Sequence, residues 1–147
     1  MKTLLVLLSF LFTVPCFASL EGNWRSSGAM VTVENDAFKG VSSFNLHFDG
    51  NFLDFEDLWE VEGNYDLSGR IGLRFEIKGK DLYHAGNKIG SFDHMNLFFK
   101  TIVYRGTEEV AYEVFMVVDS GTSMMASASL KEKNKTLNRV SYDMRKK

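Results

Sequence analysis

From Arg70 to Lys78 the side chains alternate, with Ile71, Leu73, Phe75 and Ile77 on one side and Arg70, Arg74, Glu76 and Lys78 on the other. A two-residue period of this kind belongs to a strand with one buried and one solvated face, and helical spacing is nearly absent elsewhere. Phe44, Leu46 and Phe48 alternate in the same way with Ser43, Asn45 and His47, and stop at Asp49-Gly50-Asn51, whose Asp-Gly pair favours a tight hairpin. A second strand leaves through Phe52 to Trp59. Further strands are expected at Gly63 to Leu67, closed by Ser68-Gly69, at Leu97 to Arg105, at Glu109 to Val118 and at Met124 to Leu130. In the last one Val140, Tyr142 and Met144 point inward, with Arg139, Ser141, Asp143 and Arg145 outward. The glycine-containing stretch from Lys78 to His94 reads as a loop at a barrel mouth, with a short strand around Leu82 and Tyr83. About eight to ten strands at this spacing make a barrel or a sandwich. Closure removes exposed edges, so the expectation is an all-β, antiparallel up-and-down β-barrel spanning residues 19–147 as one domain.

Proline and cysteine each occur once, as Pro15 and Cys16. Both fall in a segment with the layout of a signal peptide: Lys2, an apolar run from Leu4 to Val14, and small residues at Cys16 and Ala18. Cleavage after Ala18 removes residues 1–18 and leaves a chain without proline, which suits continuous strand pairing. It also leaves no thiol, which excludes cysteine nucleophiles, cysteine-bound zinc and disulfides. The leader run is too short to span a bilayer and no second run of membrane length follows, so the expectation is an exported protein, periplasmic or secreted, with no integral membrane segment after cleavage. An outer-membrane barrel is disfavoured, because the charged faces of Arg70 to Lys78 and Arg139 to Arg145 would meet lipid.

The formal net charge is −2, which points to neither nucleic acid nor an anionic membrane as partner. Its distribution is uneven. Glu34, Asp36, Asp49, Asp54, Glu56, Asp57, Glu60, Glu62 and Asp66 stand against Lys39 alone, whereas Lys131 to Lys147 is strongly basic. In a closed sheet the first and last strands are neighbours, so the two regions either attract across the seam or form two separately solvated faces.

Leu20-Glu21-Gly22-Asn23-Trp24 resembles the Gly-x-Trp signature that opens the first lipocalin strand. Phe48-Asp49-Gly50-Asn51-Phe52, followed by Gly63-Asn64-Tyr65-Asp66-Leu67-Ser68-Gly69-Arg70-Ile71, is similar to the order of motifs in short bacterial lipocalin-like (calycin) domains. The chain lacks the Thr-Asp-Tyr signature, the cysteine pair and room for the terminal helix of longer lipocalins, so the resemblance is to an abbreviated relative. It implies that Trp24 plugs the closed end of the barrel and that Arg139, from the last strand, packs over its indole.

Leu73, Phe75, Phe99, Tyr112 and Met116 are the candidate ligand-binding residues, facing one interior with Met124 and Met125 as a polarizable wall. At eight strands that interior is just wide enough to be filled by side chains or to hold one small molecule, and both readings stay open. His47, His84 and His94 match no metal-ligand spacing. Asp54 and Glu56 share a strand face at roughly 7 Å, within glycosidase range, but read more simply as a solvated acidic strand. Ser120 lacks the strand-turn-helix frame of a nucleophile elbow, and Asn134-Lys135-Thr136 is a lone glycosylation sequon. No catalytic residue, metal site or cofactor is expected. The functional expectation is non-enzymatic binding of a small hydrophobic or amphipathic ligand inside the barrel. The alternative is a protein-interaction or inhibitor module with a filled core, using the acidic surface of residues 34–66.

Overall fold

The computed structural model describes residues 20–93 and 95–147. The expected leader, residues 1–18, lies outside them, as do Ser19 and His94. The chain forms β1 (Gly22–Val33), β2 (Asp36–Asp49), β3 (Phe52–Val61), β4 (Gly69–Lys78), β5 (Asp81–His84), β6 (Asn87–Phe92), β7 (Asn96–Arg105), β8 (Glu108–Ser120), β9 (Ser123–Lys131) and β10 (Thr136–Lys146). Each strand pairs antiparallel with its neighbour in sequence, and β1 pairs with β10 from Trp24↔Lys146 to Val33↔Leu137, which closes the sheet into an up-and-down barrel. Closure gives every strand two partners, although β4 meets β5 only over Glu76–Lys78 and β7 meets β6 only over Leu97–Phe99.

Local chemistry sets the turns. Gly50 adopts φ +58° as the first residue of the two-residue turn inside the Asp49↔Phe52 pair, where a side chain would be strained. Two expectations need correction. Gly63 to Leu67 is not a strand: Tyr65–Leu67 is a single 3-10 turn that carries the chain from β3 to β4. The short strand expected around Leu82 and Tyr83 is present as β5, but Asn87–Phe92 forms β6 rather than loop, so the β5–β6 hairpin is built into the wall; its register slips between Leu82 and Tyr83, which hides the alternation.

The phase of β10 is also corrected. Leu137, Arg139 and Ser141 point inward and Tyr142 outward, whereas Met144 returns to the interior. The register shift between Ser141 and Met144 inserts an extra residue, with Asp143 at φ +53°, and so reverses the phase within one strand. In β3, Leu53, Phe55, Asp57, Trp59 and Val61 are all buried, so Asp57 belongs to the interior rather than to the acidic surface. The outer acids of that strand meet cations of β4 instead: Arg74 binds Asp54 at 3.0 Å and Arg70 binds Glu56. The acidic and basic regions therefore do not meet across the outer seam through these groups. Their link runs through the interior, between Asp57 and Arg139.

Aromatic rings fill the middle of the barrel. Phe55 packs on Phe44 at 5.9 Å between centroids and on Phe99 at 5.0 Å, while Phe99 also meets Phe75 at 4.7 Å and Tyr112 at 5.7 Å. Each such ring, fully buried, stabilises the fold by about 1.5–3 kcal/mol. Trp24, near the start of β1, and Trp59, near the end of β3, are both buried. The Trp24 indole N–H donates to the Leu20 carbonyl at 2.9 Å, and that of Trp59 donates to the Leu67 carbonyl at 2.7 Å.

Trp59 lies so close to the β4 backbone that a Cβ on Gly69 would stand 2.5 Å from its ring. Gly69→Ala is expected to destabilise the protein by about 1–3 kcal/mol and to change the near-ultraviolet circular dichroism of the indole. Gly72→Ala, facing open space on the same strand, serves as the neutral comparison. Urea denaturation of the two variants checks this.

Candidate functional site

Three polar side chains meet inside the barrel from β3, β8 and β10. Tyr112 donates from Oη to Asp57 Oδ2 at 2.5 Å, and Arg139 donates from Nη2 to the same oxygen. The Arg139 guanidinium lies over the Trp59 ring at 4.5 Å and the Phe44 ring at 5.3 Å, so cation-π attraction supplements the ion pair. Asp57 is 0 % exposed and Arg139 is 2 % exposed. Several polar atoms here have no protein partner: Asp57 Oδ1, Arg139 Nε and Nη1, and the hydroxyls of Ser42 and Ser141. Ser42 sits opposite Trp59 across the β2–β3 ladder, and Ser141 follows Arg139 on the same face of β10, so the unpartnered atoms belong to one region.

Burial sets the electrostatics. Desolvation pushes the Asp57 carboxyl above its usual 3.8, against the lowering effects of the Arg139 charge and of the hydrogen bonds from Tyr112 and Arg139. Tyr112 is pushed well above 10.0, first by desolvation and then by the neighbouring carboxyl, so it stays a neutral donor.

Above this layer lies the barrel end formed by the β3–β4, β7–β8 and β9–β10 connections. A cavity of about 590 Å³ opens there, with Leu67, Leu130 and Leu137 as apolar lining and Arg70, Arg105, Glu108, Glu132 and Lys135 around them. Arg105 and Glu132 pair at 3.0 Å beside it. Leu137 immediately precedes Arg139 on the inward face of β10, and Leu67 is latched to Trp59, so residues that line the cavity are the inward neighbours of the polar layer, whose own members do not line it. The Ser68 hydroxyl accepts from the Val61 N–H at 2.9 Å, a second tie on the Leu67 segment.

Leu73, Phe75, Phe99, Tyr112 and Met116 do share the interior, as their alternation implies, with Leu73 half-buried and the others buried. They are packing partners of the aromatic core, and none of them lines the 590 Å³ cavity. Met125 points outward, out of phase with Met124. The pairing of Trp24 with Arg139 is corrected: Arg139 faces Trp59, and the cation over Trp24 is Lys146 at 5.4 Å. Register explains it, because Arg139 stands opposite Val31 on β1, roughly 20 Å along the strand from Trp24. His47 is exposed beside Glu21 at 3.2 Å, and His84 Nδ1 lies 3.3 Å from the Arg74 carbonyl. Among the described residues no group of three or more His, Cys, Asp or Glu is placed to hold a metal ion, and no helix is long and apolar enough to cross a membrane.

Asp57, Ser42 and Ser141 escaped the sequence reading. The signal for Asp57 was present, since it keeps step with Leu53, Phe55, Trp59 and Val61. As a set, the buried groups offer a ligand both donors and an acceptor within a charge-balanced pair.

Two outcomes follow from the pair. Arg139→Met strands a buried carboxyl and is expected to cost about 3–5 kcal/mol, much of which Asp57→Leu in the same chain restores; denaturation of the single and double variants measures it. Because the folded Asp57 carboxyl titrates above its unfolded value, its stabilising contribution is full in acid and is lost as pH rises through the folded value. Wild type is therefore expected to gain stability relative to Asp57→Asn as pH falls from about 8 to about 4. Urea midpoints of both proteins across that range check the sign.

No protein-family model matches the chain, and no curated protein matches its sequence. Its structure is similar to that of the S-type phycobiliprotein lyase CPES from Guillardia theta, with a TM-score of 0.60 at 11 % identity, covering 89 % of this chain and 90 % of the lyase chain. At that identity the likeness concerns the fold, an antiparallel up-and-down barrel.

Proposed function

We propose that this chain is an exported, non-enzymatic binding protein of short lipocalin-like type that holds a small amphipathic molecule in the barrel. The molecule enters through the end covered by Leu67, lays its apolar part against Leu67, Leu130 and Leu137, and directs its polar part at the layer below. The carrying observation is the set of unpartnered buried polar atoms on Asp57, Arg139, Ser42 and Ser141 beneath an open cavity. Buried polar groups are ordinarily hydrogen-bonded, so such a set calls for a partner from outside the chain. Desolvating the apolar part supplies the driving force, and the polar contacts fix its orientation. A structural neighbour named as a phycobiliprotein lyase is compatible with a barrel that accommodates a small molecule.

The filled aromatic middle confines the ligand to this end, a narrower site than the one read from Leu73, Phe75, Phe99, Tyr112 and Met116. The interaction-module alternative has less surface to work with, because Asp57 is internal and Asp54 and Glu56 are ion-paired to β4. Nile red is expected to brighten on binding the purified protein and to be displaced by medium-chain amphipaths. Leu137→Glu should weaken its binding at least tenfold while leaving the far-ultraviolet circular dichroism unchanged. Failure of the wild-type protein to take up the dye overturns the reading.

A further inference from the structure

The chemistry of the unpartnered atoms narrows the ligand further. Arg139 and Asp57 already neutralise one another through Nη2 and Oδ2, so a charged head group would bring an uncompensated charge into the interior. What the pair leaves open is an acceptor, Asp57 Oδ1, and two donors, Arg139 Nε and Nη1, together with the Ser42 and Ser141 hydroxyls, which can donate or accept. A carboxylate would satisfy the guanidinium but face Oδ1, and an ammonium would satisfy Oδ1 but face the guanidinium. An amide carries a carbonyl acceptor and an N–H donor side by side, and is neutral.

Resting on the binding reading above, we infer that the polar end of the ligand is an uncharged amide-type group, such as a primary amide, lactam or urea. Its carbonyl accepts from Arg139 and its N–H donates to Asp57. The side chains need no new charge state to receive it. The apolar remainder then extends past Leu137 into the cavity.

Four probes with the same ten-carbon chain separate the alternatives: decanamide, decanoate, decylamine and decanol, each titrated into the purified protein at neutral pH by calorimetry and by displacement of Nile red. Decanamide is expected to bind at least tenfold more tightly than decanoate or decylamine. Asp57→Asn leaves Arg139 uncompensated and should reverse the order in favour of decanoate. Ser141→Ala, a milder change at the rim of the same layer, should lower decanamide affinity several-fold without altering the order. Decanoate or decylamine binding more tightly than decanamide overturns the inference. So do affinities within threefold of one another across the series, the outcome expected if water alone satisfies the buried atoms; in that case displacement of the dye still upholds the binding reading. If neither dye nor any probe binds, both fall together.

Discussion

Pairing of β1 with β10 is the constraint on which the rest of this structure depends. Without it the sheet would present two strands with unpaired backbone groups, and the inward faces of β3, β8 and β10 would not converge. With it, Asp57 on β3 reaches Arg139 on β10, which stands beyond β2 and β1 in the wall. The ion pair is a product of closure and also a check on it, because a slip of one residue in the β1–β10 ladder would turn Arg139 outward and leave Asp57 alone. Burying such a pair gains little net stability over an apolar pair of the same shape, but it penalises wrong registers severely.

Much of the architecture was legible in the residues because half-buried strands advertise themselves. β4 shows it most plainly, with Ile71, Leu73 and Phe75 against Arg70, Arg74 and Glu76. The Asp49-Gly50 turn was equally readable, since its backbone geometry is written in its residue types. Where the reading failed, a physical device had interrupted the period. Asp143 adds a residue to β10 and exchanges the faces, and a register slip between Leu82 and Tyr83 disguises a hairpin as a loop. Gly63 to Leu67 looked like a strand because it carries Tyr65 and Leu67, but it has only the length of a cap over the barrel end.

The site was less legible for a different reason. Reading charge as surface is sound for most acids, and it placed Asp57 among its solvated neighbours. Phase was the better guide, for Asp57 shares the rhythm of Phe55 and Trp59 whereas Asp54 and Glu56 do not. Arg139 posed the mirror problem: its charge argued for solvent, and only its partner on a strand 82 residues away in sequence explains its burial. Long-range pairing of this kind leaves no local trace. The Gly-x-Trp resemblance drew Trp24 and Arg139 together, yet it was Trp59, outside that motif, that received the guanidinium.

The two indoles perform the same task under unequal mechanical conditions. Trp24 holds Leu20, where the chain runs into the wall, whereas Trp59 holds the carbonyl of a short bridge anchored at both sides by strands. Such a bridge can swing away and return without disturbing either ladder, and the two side-chain hydrogen bonds that tie it, from the Trp59 indole and to the Ser68 hydroxyl, contribute only about 0.5–1.5 kcal/mol each. Local openings of that size occur far more often than global unfolding. One rim of the barrel can thus breathe on its own timescale, which gives a single closed sheet a preferred direction of traffic.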